Sequence, residues 1–421
     1  MNAFLRAIFQ QFRSLKGPAR MFLLALFLDG LLLSGWSLFF NLYILKAGYS
    51  REFLGLVNAA PSLSALFLGI PMGLLSDRIG RKRAMLIGFS LTNVSMIGMG
   101  LARSETIMLI MALLYGALGQ LFVLSQNPFM MQASDERTRD VLFSFSMGVV
   151  PLANTLGNFL AGTLPGLFSH FLGTPDSPRI YQAVLLTSVI SSFAVLLPLA
   201  WMREPGGKTR EILTGSRPLR GPSLWQALAR PLTLKLALPN LIIGFGAAML
   251  VPYFNIFFAE RYAMSDAGLG LLFGIGSLFI GIGCLISPRL VGNLGGRVRT
   301  VVLGEAVSLI FLLATGFSPW LWLAVIGYLV RGALMNMVAP FFDAFALEAS
   351  AVAEHGVVTS IRNLAWNVGW AIGPYVSGLI QQRWGFQPLF INTAVFYALA
   401  IGVTWLYFRP KNDRSRARIP A

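Results

Sequence analysis

The side chains able to do chemistry in this chain are few, and the informative ones stand inside apolar runs. Two histidines, His170 and His355, and one cysteine, Cys284, are the whole supply of imidazole and thiol. That is too little for a zinc site or for histidine-based catalysis, so no metal and no cofactor is expected. No Gly-x-x-x-x-Gly-Lys-Ser/Thr loop is present, so ATP drive has no phosphate cradle. A membrane-embedded enzyme would need a constellation of catalytic groups near one face, and only scattered carboxylates are available. What remains are ionisable groups in hydrophobic stretches. Asp29 stands about 12 Å into an apolar run and Arg331 about 18 Å into another, at 1.5 Å per helical residue. Such a charge costs roughly 2.5–3.5 kcal/mol at mid-membrane unless paired or hydrated, which points to proton or cargo binding. The alternatives are a packing carboxylate at Asp29, on a helix whose polar face includes Ser34 and Asn41, and a structural counter-ion at Arg331. Asp343, Glu305 and Arg362 fall nearer the span ends, where they can snorkel or form a gate network; Asp343 is the next proton candidate after Asp29. Tyr115, Gln120, Gln126, Asn127, Trp366 and Trp370 are candidate cavity linings, with packing the alternative for each.

These residues need helices that cross a bilayer. Of 421 residues, 56% are hydrophobic and 12% charged, about half the charged share of a soluble domain. Runs of roughly 20 apolar residues span the hydrocarbon. Twelve are read, at 21–45, 52–75, 83–102, 106–133, 141–168, 180–202, 232–259, 266–288, 299–317, 319–347, 356–381 and 387–408. The expected fold is therefore all-α and integral to the membrane, a six-helix bundle over 21–202 and another over 232–408. A linker at 203–231 joins them and a basic tail at 409–421 follows. Residues 1–20 mix Arg6, Arg13, Lys16 and Arg20 with Phe4, Leu5, Ile8, Phe9 and Phe12, the pattern of an interfacial amphipathic segment. The apolar run behind it is longer than a signal-peptide core and no small-residue cleavage site follows.

The net charge of +16 does not indicate nucleic acid, because the basic residues punctuate apolar segments rather than pave a solvated face. Twenty-five of the 33 lysines and arginines fall on one side of the twelve-span topology and six on the other. The positive-inside rule then puts both termini in the cytoplasm. The expected partners are membrane lipid, a small-molecule substrate and protons, in a monomer.

The chain repeats. Phe40-Asn41-Leu42-Tyr43 returns as Phe254-Asn255-Ile256-Phe257, and the small-residue stripe Ala153, Gly157, Ala161 returns as Gly369, Gly373, Ser377, at offsets of 214 and 216. Such stripes let helices approach closely in lipid, so Gly369, Gly373 and Pro374 are read as helix packing. Agreement of the offsets argues for two halves in one orientation, a transporter architecture.

Between the second and third spans stands Gly73-Leu-Leu-Ser-Asp77-Arg78-Ile-Gly80-Arg81-Lys82. It resembles the major facilitator superfamily signature G-x-x-x-D-R-x-G-R-K at every defined position, in the loop where that family carries it. A degenerate copy, Asn293-Leu-Gly-Gly296-Arg297-Val-Arg299, follows the eighth span. The resemblance implies that Gly73, Asp77, Arg78, Gly80, Arg81 and Lys82 form a conformational latch stabilising the outward-facing state. Drug:proton antiporters of the family carry an arginine in the fourth span and Gly-Pro in the fifth. Here 107–131 has no arginine and Gly157 is followed by Asn158, while Gly373-Pro374 falls in the eleventh span and Arg331-Gly332 in the tenth. The expected function is secondary transport by alternating access, preferentially proton-coupled export of small amphipathic molecules. Proton-coupled uptake of a polar metabolite is the runner-up and lipid flipping a third reading. Asp29 has no counterpart in the repeat, where position 243 is isoleucine. It is expected to exchange between a buried environment and one facing a cation, with Arg331 the candidate.

Overall fold

The computed structural model describes residues 10–172, 177–203, 226, 230–293, 296–351 and 354–409, with side chains outside 284–295. Expectations for residues 1–9, most of 203–231 and 410–421 lie outside the described residues. Among the described residues there is no strand. The helices are α1 (Gly17–Lys46), α2 (Arg51–Ile79), α3 (Arg81–Leu101), α4 (Glu105–Ala133), α5 (Arg139–Leu172) and α6 (Pro178–Trp201). They continue with α7 (Pro231–Arg261), α8 (Asp266–Asn293), α9 (Arg297–Phe317), α10 (Leu321–Glu348), α11 (His355–Trp384) and α12 (Gln387–Phe408).

Local chemistry sets several of the ends. Ser50 and Ser104 cap α2 and α4, accepting from the amides of Phe53 at 3.0 Å and Ile107 at 3.3 Å. Proline opens α1, α6 and α7 at a position that needs no amide donor. Gly80 turns the chain from α2 into α3 with φ +91°, and Gly296 repeats the turn into α9 with φ +115°. Only glycine takes such angles without strain, which gives the second glycine of the loop signature a structural cause.

Among the described residues eleven helices are long and apolar enough to cross a membrane; α11 is not one of them. Arg362, Asn363, Asn367, Gln381 and Gln382 lower its apolar content. Large apolar side chains such as Phe67, Phe171 and Leu406 are exposed on the outside, and Trp201, Trp320, Trp322 and Trp384 are exposed at helix ends, the belt expected where indoles meet headgroups.

Packing repeats as the sequence does. In the first half α1 lies on α5 and α6, α2 on α4, and α3 on α4 and α6; in the second, α7 lies on α11 and α12, α8 on α10, and α9 on α10 and α12. The small-residue stripes sit where α5 meets α1 and α11 meets α7. A Cβ on Gly30 would come within 2.9 Å of Ala153, and one on Gly373 within 2.7 Å of Ala248. A Cβ on Gly369 would likewise lie 2.5 Å from the Phe245 amide nitrogen. Between halves the contacts are α2 on α11 and α5 on α8, pairs that exchange when the halves are swapped. Phe12, read from sequence as part of an interfacial segment, packs against the protein instead, meeting Phe145 edge-on at 6.0 Å, and Leu15 beside it is buried.

Candidate functional site

Each half encloses a cavity. In the first, a space of 360 Å³ is lined by Asp29 and Leu33 of α1, Ala65 of α2, Thr92 and Asn93 of α3, and Tyr115, Gln120 and Gln126 of α4, with Asn367 of α11 reaching in from the other half. Asp29 is the charged residue on this wall, and among the described residues it has no hydrogen-bond or ion-pair partner. Asn93 donates to Ser192 Oγ at 2.8 Å while its Oδ1 stays unpaired.

In the second half, a space of 490 Å³ runs from Val251, Arg331 and Tyr397 at its deep end to Asp343 and Arg362 near the face that carries the described chain ends. Arg331 donates to Tyr397 Oη at 2.5 Å and lies 5.6 Å from the ring centres of Phe254 and Tyr397, contacts that hold a guanidinium by its planar faces. Arg362 pairs with Asp343 at 2.7 Å and lies over Phe342. Glu305, Trp366 and Trp370 complete the wall, the two indoles 6.1 Å apart.

Beyond the cavities the halves are joined. The repeated Asn41 and Asn255 make a reciprocal clasp: Asn41 Nδ2 donates to Pro252 O at 2.5 Å and Asn255 Nδ2 to Leu38 O at 2.8 Å. A 3₁₀ turn at Val251–Tyr253 interrupts α7 at the accepting carbonyl. Towards the face away from the chain ends, Arg51 binds Glu260 at 2.5 Å, its amide donates to Gln382 Oε1 at 3.1 Å, and Tyr181 Oη donates to Asp266 at 3.1 Å. Gly162 and Gly270 bring α5 and α8 together so closely that a Cβ on Gly270 would lie 2.6 Å from Gly162.

On the opposite face, ion pairs among the described residues lie within one half. Its pairs Lys16–Asp135, Asp77–Arg81, Arg230–Glu354 and Arg297–Glu348 each join residues of the same half. In the signature loop, Arg81 also donates to Ser76 Oγ at 3.0 Å and Lys82 to Ala200 O at 2.6 Å. A Cβ on Gly73 would meet nothing closer than Leu124 at 3.6 Å, so this arrangement does not require glycine there.

Five of the six residues read as cavity linings do line one: Tyr115, Gln120 and Gln126 in the first half, Trp366 and Trp370 in the second. Asn127 does not. It is exposed, one residue round the helix from Gln126 and so about 100° away from the cavity. Arg331 does not face Asp29 here, since the two belong to different cavities. Glu305 and Arg362, assigned from sequence to gating or packing, share the wall with Arg331. Sequence reasoning misses Asn93, Asn240 and Asn367, although an asparagine within an apolar run carries the same signal that marks Asn127. Pro374 O accepts from Tyr253 Oη at 3.1 Å, so its carbonyl supports the core beside the clasp.

The sequence matches the family model described as Major Facilitator Superfamily over residues 22–304 and again over 294–421. The chain belongs to the major facilitator superfamily. It is a multi-pass transporter of the cell membrane. Among relatives, the multi-drug resistance efflux pump PmrA of Streptococcus pneumoniae is 23% identical over 84% of this chain and 86% of its own length. Multidrug resistance protein MdtG of Enterobacter lignolyticus is 25% identical over 79% and 78%. The fold agrees with two solved structures. A bacterial homologue of the human lysosomal transporter Spinster, inward-facing and occupied, has TM-score 0.71 at 14% identity, over 93% of this chain and 95% of that one. The nucleoside transporter NupG has TM-score 0.70 at 14% identity, over 94% and 100%.

Proposed function

We propose that this superfamily member has twelve spans, with α11 as the eleventh, and both termini in the cytoplasm, and that it exports small amphipathic organic molecules in exchange for protons. The observation that carries the reading is the asymmetry between the two faces. The second-half cavity reaches Asp343 and Arg362 near the face of the chain ends, while the clasp and the Arg51–Glu260 pair join the halves toward the other. An inward-facing transporter has this shape, and alternating access reverses it by rocking one half against the other. Asp29, uncompensated on a cavity wall, is the proton or cation site, and Asp77 with Arg81 biases the end states without touching cargo. The multidrug efflux relatives favour amphipathic cargo and outward movement.

The test is flux in proteoliposomes, with and without an imposed pH gradient, over a panel of drugs, sugars, amino acids and lipids. Gradient-dependent accumulation of an amphipathic compound is the expected result. Flux indifferent to the gradient would refute the coupling, and concentrative movement confined to sugars or lipids would refute the cargo class.

A further inference from the structure

The second-half cavity contains ionisable side chains that do not pair with each other. Arg331 and Glu305 are each 6% exposed and line the same space. Among the described residues no ion pair joins them, whereas Arg362 and Asp343 on the same wall are paired at 2.7 Å. Arg331 uses Nη2 for Tyr397 and leaves Nε without a partner; Glu305 Oε2 and Trp370 Nε1 are unpartnered as well. Burying a polar group without a hydrogen bond is costly, and burying a lone charge more so. Groups left in that state call for an explanation, and a bound molecule is one.

We propose that this cavity holds a dipolar cargo, its acidic group at Arg331 and Trp370 and its cationic, donor-bearing group at Glu305, with its apolar body against the Trp366 and Trp370 rings. This rests on reading the cavity as part of the transport site. The inference follows from matching. A purely anionic molecule leaves Glu305 unmet, a purely cationic one leaves Arg331 unmet, and an uncharged one satisfies neither charge. A molecule carrying both groups answers Arg331 and Glu305 together. The volume of 490 Å³ is that of a site for one small organic molecule. The first-half cavity has a carboxylate and no cation on its wall, so the recognition of opposite charges is confined to the second half.

The experiment is calorimetric titration of the detergent-solubilised full chain with three ligands sharing one aromatic body: 3-(2-naphthyl)alanine, its methyl ester as the cation, and its N-acetyl derivative as the anion. The zwitterion should bind at least tenfold more tightly than either singly charged form. In Glu305→Gln the advantage over the N-acetyl form should fall below threefold, and in Arg331→Gln the advantage over the ester should do the same. Because Arg331 also holds Tyr397, the shape-preserving Glu305→Gln variant is the decisive arm. A singly charged form that binds as tightly as the zwitterion, absence of binding by all three, or an unchanged ranking in Glu305→Gln would overturn the proposal. The titration uses no gradient and no membrane. Failure here with gradient-driven flux of another amphipathic compound removes the dipolar site alone, whereas the predicted ranking without any flux supports the site and removes the export reading.

Discussion

Asp29 and Asp343 are both carboxylates on cavity walls, yet only Asp343 has an arginine within reach. The free one is the better carrier of a transported charge, because nothing in the protein has to be displaced to reach it. Asp29→Asn should abolish pH-driven accumulation while leaving some downhill exchange, measured with labelled cargo in liposomes; normal concentrative uptake by the variant would make Asp29 a packing residue. Asp77 calls for the opposite split. Here it pairs within its own loop, with Arg81, so Asp77→Asn should slow transport and leave cargo affinity intact. A bias of about 1–2 kcal/mol changes the balance of end states roughly five- to thirtyfold. Asp135, in the turn between α4 and α5, has a pH signature of its own. Hydrogen bonds from the Thr138 hydroxyl at 2.7 Å and amide at 3.0 Å, with Lys16 at 3.4 Å, hold its carboxyl below the ordinary 3.8. A depressed carboxyl stabilises the fold above its unfolded value and loses that contribution as pH falls through the folded one. The thermal midpoint difference between wild type and Thr138→Val should therefore shrink on going from pH 7 to pH 3.

At the scale of helices, the turn glycines give the sharpest stability test. Gly80 and Gly296 hold positive φ, in a region that costs about 1–3 kcal/mol for other residues. Gly80→Ala and Gly296→Ala should each lower the unfolding midpoint in detergent. Gly402, inside α12 with nothing within 4 Å of an added Cβ, should accept alanine with a small gain. The helices themselves were legible because lipid imposes long apolar runs with charged breaks: the span read at 387–408 is Gln387–Phe408, and that read at 106–133 is Glu105–Ala133. Side-chain direction was less legible. Gln126 and Asn127 are chemically alike and adjacent, and only helix phase, set by packing partners far along the chain, turns one inward and the other out. The Asn41 and Asn255 repeat was visible as a repeat; its meaning as a clasp required knowing that the copies meet each other. Likewise Glu305 and Arg331 are 26 residues apart on two helices, and no spacing rule shows that they share a cavity.

For the whole molecule, the duplication that builds two similar halves also gives them an exchange-related seam. The contacts α2–α11 and α5–α8 are related by exchange of the halves, and the clasp lies between them. Rocking about that region would close the face of the chain ends as the other opens, at the cost of the Arg51–Glu260 pair and the Tyr181–Asp266 bond. Arg51→Gln should accordingly raise the population open on that second face. The most direct test of alternating access is pulsed electron-spin distance measurement in liposomes, with label pairs across each face: Arg78 with Arg299, and Lys46 with Arg261, in a Cys284→Ser background. The account predicts two distance populations on each face, with the long distance on one matched by the short distance on the other as cargo or pH is changed. A single fixed distance on both faces under every condition would contradict it.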